Sequence, residues 1–141
     1  MAKYYLTWGV GYGSKLLAEK NALRNANIST IKLKGLDKLE IPKAKFVDDR
    51  TAIKKIKGET KGIILKRCVK GEAAVALVFG ITADKVYISK GRAGSLQKAI
   101  NKANYELKKL NIDFEGTQQI AASAEAQKGR YSCAVVALLI R

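Results

Sequence analysis

The runs Gly62-Ile63-Ile64-Leu65-Lys66-Arg67-Cys68-Val69, Glu72-Ala73-Ala74-Val75-Ala76-Leu77-Val78-Phe79-Gly80-Ile81 and Lys85-Val86-Tyr87-Ile88-Ser89 decide the fold class of this chain. Each is short, rich in aliphatic and aromatic residues, and bounded by turn formers: Gly71, Thr82-Ala83-Asp84 and Gly91. Runs punctuated in this way read as strands. Directly after them, Leu96, Ala99, Ile100, Ala103, Leu107 and Leu110 recur at helical spacing, with Ser95 or Gly94 placed to open the helix. Two further apolar runs, Gln118 to Ala124 and Tyr131 to Ile140, read as closing strands joined through Gln127-Lys128-Gly129-Arg130.

Toward the N-terminus the pattern changes period. Met1 to Trp8 reads as strand, with Lys3 to Trp8 its clearest part, and Gly9-Val10-Gly11-Tyr12-Gly13 reads as a turn. Ser14 suits an N-cap, Leu16, Ala22, Leu23 and Ala26 follow helical spacing over Lys15 to Asn25, and Asn27 suits the stop. Ile31 and Leu33 alternate with Lys32 and Lys34, the period of a half-buried strand. Gly35 to Lys61, with Pro42 inside it, is polar and irregular. Strand runs between two helices, several of them almost wholly apolar, predict a layered αββα sandwich with its central sheet buried on both faces, formed by residues 1–141 as a single domain.

Composition narrows the chemistry. The chain has 141 residues, 48% of them hydrophobic, and a single proline, which is the make-up of a folded globule. The apolar stretch Ala73 to Ile81 is too short to span a bilayer, and the N-terminus lacks the long apolar core of a secretory signal. The expectation is a protein of the cytoplasm, or of a host's cytoplasm if viral, with no membrane partner. Cys68 and Cys133 sit inside apolar runs and are expected as buried free thiols. There is no histidine, so a zinc site lacks its usual ligands and a catalytic triad lacks its imidazole. No cofactor is implied.

Charge is the strongest compositional signal. Lysine and arginine number 27 against 12 acids, a formal +15. They are densest from Lys32 to Lys70 and recur at Lys85, Lys90, Arg92, Lys98 and Lys102. Such a field concentrates anions, whether nucleotides, nucleic acid or acidic surfaces; a solvated, solubilising surface accounts for the same count. A glycine-rich segment before a helix is suited to cradling phosphate on backbone N–H groups, and equally to a plain tight turn. Trp8, Tyr12 and Tyr87 are suited to stacking on a base or to packing.

Ala22-Leu23-Arg24-Asn25-Ala26-Asn27-Ile28 with the strand after it, Gly71-Glu72-Ala73-Ala74-Val75-Ala76-Leu77, and Gln127-Lys128-Gly129 through Ser132-Cys133-Ala134-Val135-Val136-Ala137-Leu138-Leu139 resemble, in order, patches of the pyruvoyl-dependent arginine decarboxylases. The resemblance implies that family's sandwich fold and a trimer, or a multiple of one, with sites between subunits. Members cut themselves at a hydroxyl-bearing pair after the second strand to make a pyruvoyl group. Here those positions fall on Lys34 and Gly35, and the proton-donating glutamate falls near Lys90 to Arg92, where no acid stands.

With electrophile and acid both replaced, the resemblance implies a pseudoenzyme whose pocket turns from cations toward anions. Its expected ligand is an anionic small molecule such as a nucleotide or cyclic oligonucleotide signal, captured without chemistry, as a phage sponge that blunts nucleotide-based immunity would do. The expected site joins Trp8, Gly9, Gly11, Tyr12, Gly13, Lys34, Lys90 and Arg92, with the Gly9–Gly13 turn, Lys34 and a Lys90-Gly91-Arg92 turn meeting across a subunit boundary. Direct nucleic-acid binding and an active self-processing decarboxylase are the alternatives.

Overall fold

Two strands that are apolar on both sides organise the molecule: β6 (Ala73–Ile81), with eight residues buried, and β9 (Tyr131–Ile140), buried from Ser132 to Leu139. Each is the interior strand of a separate sheet, so both of its faces are covered. In the computed structural model, which describes residues 3–47 and 49–141, the further elements are β1 (Lys3–Gly13), α1 (Lys15–Asn25), β2 (Lys32–Lys34), β3 (Glu40–Pro42), β4 (Lys45–Val47), α2 (Arg50–Lys54), β5 (Glu59–Val69), β7 (Lys85–Ala93), α3 (Leu96–Lys108) and β8 (Gly116–Ala124). The five-stranded sheet runs β2-β5-β9-β1-β4 and the four-stranded sheet β3-β7-β6-β8. The protein is thus mixed α/β with two sheets, where the sequence suggested one central sheet, and the loop after β8 carries the chain from one sheet to the other. Met1 and Ala2, read with the first strand, lie outside the described residues.

Alternation along the strands sorts the core. Tyr4, Leu6, Ile63, Leu65, Val136 and Leu138 of the five-stranded sheet pack against Val75, Leu77, Phe79, Val86 and Ile88 of the four-stranded one. The opposite parity of β9, with Cys133, Val135, Ala137 and Leu139, faces Ala18, Ala22 and Ala26 of the α1 region. On the other side, Ala74, Ala76 and Val78 meet Ala99, Ala103 and Leu107 of α3.

Both helix boundaries follow from local chemistry. Ser14 and Ser95 accept from the backbone N–H groups of Leu17 and Lys98, the usual N-cap bond. Asn27 takes φ 64°, and the Asn27 and Ile28 N–H groups donate to Arg24 and Leu23 oxygens at 3.0 and 3.1 Å, which closes α1 in a Schellman motif.

Several expectations are overturned. Gly9 to Gly13 is no turn but the second half of β1. Its glycines answer to the helix above: a Cβ on Gly9 would stand 2.3 Å from the Ala22 oxygen, and one on Gly11 2.3 Å from the Ala18 oxygen. Lys90-Gly91-Arg92 is likewise strand, within β7, with Gly91 making room for α3 at Ala99. The segment Gly35 to Lys61 holds β3, β4, α2 and the start of β5; these strands are too short for a period to show. Cys68 and Cys133 are not free thiols. They stand opposite one another in the β5–β9 register and are joined in a disulfide.

Candidate functional site

The eight residues singled out in the sequence lie in different parts of the fold, with Gly9 and Gly11 buried beneath α1. Trp8, 44% exposed, stands where β1 has run past β4, which pairs only with Lys3 to Tyr5. Arg50 stacks on its indole at 4.8 Å and donates to the Trp8 carbonyl at 2.6 Å, while Asn25 donates to the Val10 carbonyl at 2.7 Å. These bonds cap an open strand edge beside a hollow of about 300 Å³ that Gly9 also lines. Gly11 lies under α1, Gly13 (φ 134°) ends β1 against Leu17, and Tyr12 packs partly buried on the inter-sheet core.

Lys34 is exposed on β2, in register with Lys61 of β5. Arg92 contacts β5 at Lys66, five residues further along, which is roughly 16 Å at strand rise. Within one chain, therefore, Lys34 does not join Arg92, and Trp8 lines a hollow to which neither Lys90 nor Arg92 contributes.

Lys90 and Arg92 do share a site, with a partner the sequence reading passed over. Val86 and Ile88 face the inter-sheet core, so Lys90 and Arg92, of the same parity, project on that side where β7 extends beyond β3. On β5, Ile63, Leu65 and Val69 face the same core, and Arg67 shares their parity. Arg92 Nε donates to the Lys66 carbonyl at 3.1 Å, the carbonyl of the peptide that leads into Arg67. Arg67 Nε is buried and has no hydrogen-bond partner among the described residues. A buried donor left unpaired costs about 1–3 kcal/mol. Lys102 reaches the Arg92 carbonyl at 3.0 Å, and Lys66 pairs with Glu19 of α1. Arg92 is thus tied to the β5 backbone next to Arg67, with Lys90 two residues away on the same face of β7.

A cavity of about 650 Å³ lies at the β3 end of β7, walled by Lys38, Leu39, Tyr87 and Ser89 and by Leu110 beyond α3, and Lys90 is the one residue it shares with the Arg67–Arg92 corner. Two carboxylates also line it, Glu40 and Glu106, but each is paired: Glu40 with Lys85 at 2.7 Å and Glu106 with Lys109 at 3.2 Å. Bonding to Glu40 holds the Lys85 ammonium above its ordinary pKa. Lys38 and Lys90 have no carboxylate within ion-pair distance among the described residues, so the free charge of the wall is positive. Neither Arg67 nor Arg92 lines this cavity, whose free cations are the ammonium groups of Lys38 and Lys90, and such a pair attracts an anion.

Among the described residues no three of His, Cys, Asp and Glu are grouped as metal ligands would be, and no helix is long and apolar enough to cross a membrane. Arg67 was legible after all: a charge at a core-facing position of the alternation Ile63, Leu65, Arg67, Val69 is the signal, hidden because the neighbouring Lys66 made the pair look like surface. Arg50 and Asn25 had no such signal. No protein-family model matches this chain, and no curated protein does.

Proposed function

We propose that this protein captures a nucleotide-like anion without transforming it, as a degenerate member of the pyruvoyl-dependent arginine decarboxylase family. The packing of α1 and α3 on the outer faces of two stacked sheets supports the layered αββα sandwich of that family. The observation that carries the binding reading is the Arg67 and Arg92 pair. A buried guanidinium Nε without a protein partner, close to a second arginine, is a donor that a polyanionic ligand would satisfy through charge-assisted bonds.

No catalytic role is assigned. The family's self-cleaving position falls on Lys34 and Gly35, and the corner holds cations where that chemistry needs an acid. Because nucleotides and cyclic oligonucleotides are intracellular, capture takes place in the cytoplasm, and the family habit makes the working unit a homotrimer; light scattering that finds a monomer at micromolar concentration rejects the latter.

Calorimetry with ATP, a cyclic dinucleotide and inorganic phosphate tests the site. Arg92→Glu or Lys90→Glu weakens nucleotide binding at least tenfold, about 1.4 kcal/mol, while Lys54→Glu and Lys55→Glu, at the end and C-cap of α2, have little effect. Equal losses at all four positions, with affinity that rises with oligonucleotide length and falls steeply with salt, replace this reading with nucleic-acid binding.

A further inference from the structure

A second cavity, of about 440 Å³, lies at the other end of the space between the sheets. The chain leaves β2 on the edge of one sheet and crosses to β3 on the edge of the other, and this crossing roofs the end of the core. Leu36, Ile41, Ala44 and Ile140 form the apolar wall together with the ring of Tyr4. Leu36, Ala44 and Ile140 are only partly buried and pack directly on the inter-sheet core. The pocket is therefore a continuation of the core that opens to solvent.

The phenol in its wall is already engaged. The Tyr4 hydroxyl, 2% exposed as a residue, donates to the Pro42 carbonyl and ties β1 to β3. Burial raises the pKa of this phenol, so at neutral pH it remains a bonded, uncharged donor. The walls then offer apolar surface and no pattern of donors and acceptors that would read a base.

The mouth is cationic. Lys61 lines it, on the same parity of β5 as the core residues Ile63 and Leu65, and its register partner across the β2–β5 pair is Lys34. Like charges opposite one another on neighbouring strands repel, and neither has a carboxylate partner among the described residues. Lys43, on the rim, shares an exposed ion pair with Glu115 at 3.5 Å. Elsewhere in the same two-strand pairing, Lys32 faces Glu59, so opposed lysines are not a general feature of this edge.

We infer that this pocket binds a small amphiphile with a single anionic head, such as a medium-chain carboxylate, whose apolar body enters between Tyr4, Leu36, Ile41 and Ile140 while its head relieves the repulsion of Lys34 and Lys61. The site uses none of the residues of the Arg67–Arg92 corner and does not depend on the function proposed for it.

Octanoate is the probe, with octanol as its uncharged counterpart, each titrated by calorimetry into the full chain. Octanoate binds at least tenfold more tightly than octanol. Lys61→Glu weakens octanoate at least tenfold, Lys61→Arg retains it, and Ala44→Phe, which fills the pocket, abolishes it. Lys61 is exposed, so its variants fold whether or not Ala44→Phe does. Octanoate that fails to bind at millimolar concentration overturns the inference, as does equal affinity for octanol, or octanoate affinity unmoved by Lys61→Glu. Loss of octanoate binding in Arg67→Met would assign the ligand to the other corner and overturn it too.

Discussion

Arg92 Nε lies 3.1 Å from the carbonyl of Lys66, a bond that joins the open edge of the four-stranded sheet to the open edge of the five-stranded one. The guanidinium of Arg92 is thereby held beside Arg67, whose own Nε is buried and unpaired. A buried donor without a protein partner costs about 1–3 kcal/mol.

Replacing Arg67 by an apolar residue of similar length should therefore separate this cost from its proposed role in binding. Arg67→Met is expected to raise the free energy of unfolding by about 1 kcal/mol and to weaken ATP binding at least tenfold. Urea denaturation and calorimetry on the same preparation measure both; a destabilised variant with unchanged affinity would make Arg67 a structural residue.

The glycines of β1 yield a prediction about stability alone. A methyl group on Gly9 or Gly11 meets a helix carbonyl at 2.3 Å, so Gly9→Ala and Gly11→Ala must lift α1 off the sheet. Each is expected to cost about 2–3 kcal/mol. Gly35→Ala, with nothing within 4 Å of the added carbon, is expected to stay within about 0.5 kcal/mol of the parent in thermal melts.

The covalent state is checked by two readouts on unreduced protein. On the proposed reading, denaturing mass spectrometry should show one intact polypeptide near 15.4 kDa without a carbonyl-reactive pyruvoyl group, since Gly35, at the position proposed for self-cleavage, has no hydroxyl. Thiol titration in denaturant should find no free thiol before reduction and two after it, because both cysteines are engaged. A chain ending near Lys34 would restore the enzyme.

Alkaline pH should weaken the fold in a defined direction. Tyr4 holds its proton more tightly when buried, and Lys85 does so beside Glu40; both pKa values are higher folded than unfolded. Their contribution is complete below about pH 10 and is lost as pH rises through the folded values. Tyr4→Phe should flatten that decline in denaturation curves taken across the alkaline range, at a cost near neutrality of about 1 kcal/mol for the bond to Pro42. An equally steep decline in Tyr4→Phe would assign it to other groups.

The parts of this structure that could be read in advance are those governed by local rules. α1 from Lys15 to Asn25 and β9 from Tyr131 to Ile140 fall at the expected residues, because caps, periodicity and an unbroken apolar run act over a few positions. Gly9, Gly11 and Gly91 were misread since a glycine required by a helix two layers' contact away looks, in sequence, like a glycine required by a turn. The cysteines failed for the same reason: their pairing depends on β5 and β9 being neighbours across 65 residues. Of the expected site, Lys90 and Arg92 lie on one face of β7 and Trp8 and Gly9 line one hollow, while Arg67 joins the former through its parity with Ile63 and Leu65, a signal masked by the adjacent Lys66.

The Cys68–Cys133 bond also divides the chain mechanically. Everything from β6 to β8 lies inside the ring that it closes, 65 residues around. Tension applied at the two termini passes through that bond and bypasses the whole four-stranded sheet except β3. About 230 Å of contour, at the reach of an extended chain, is withheld from any pull until the bond is reduced, so an oxidised molecule dragged by its ends loses the five-stranded sheet while β6, β7, β8 and α3 carry no load.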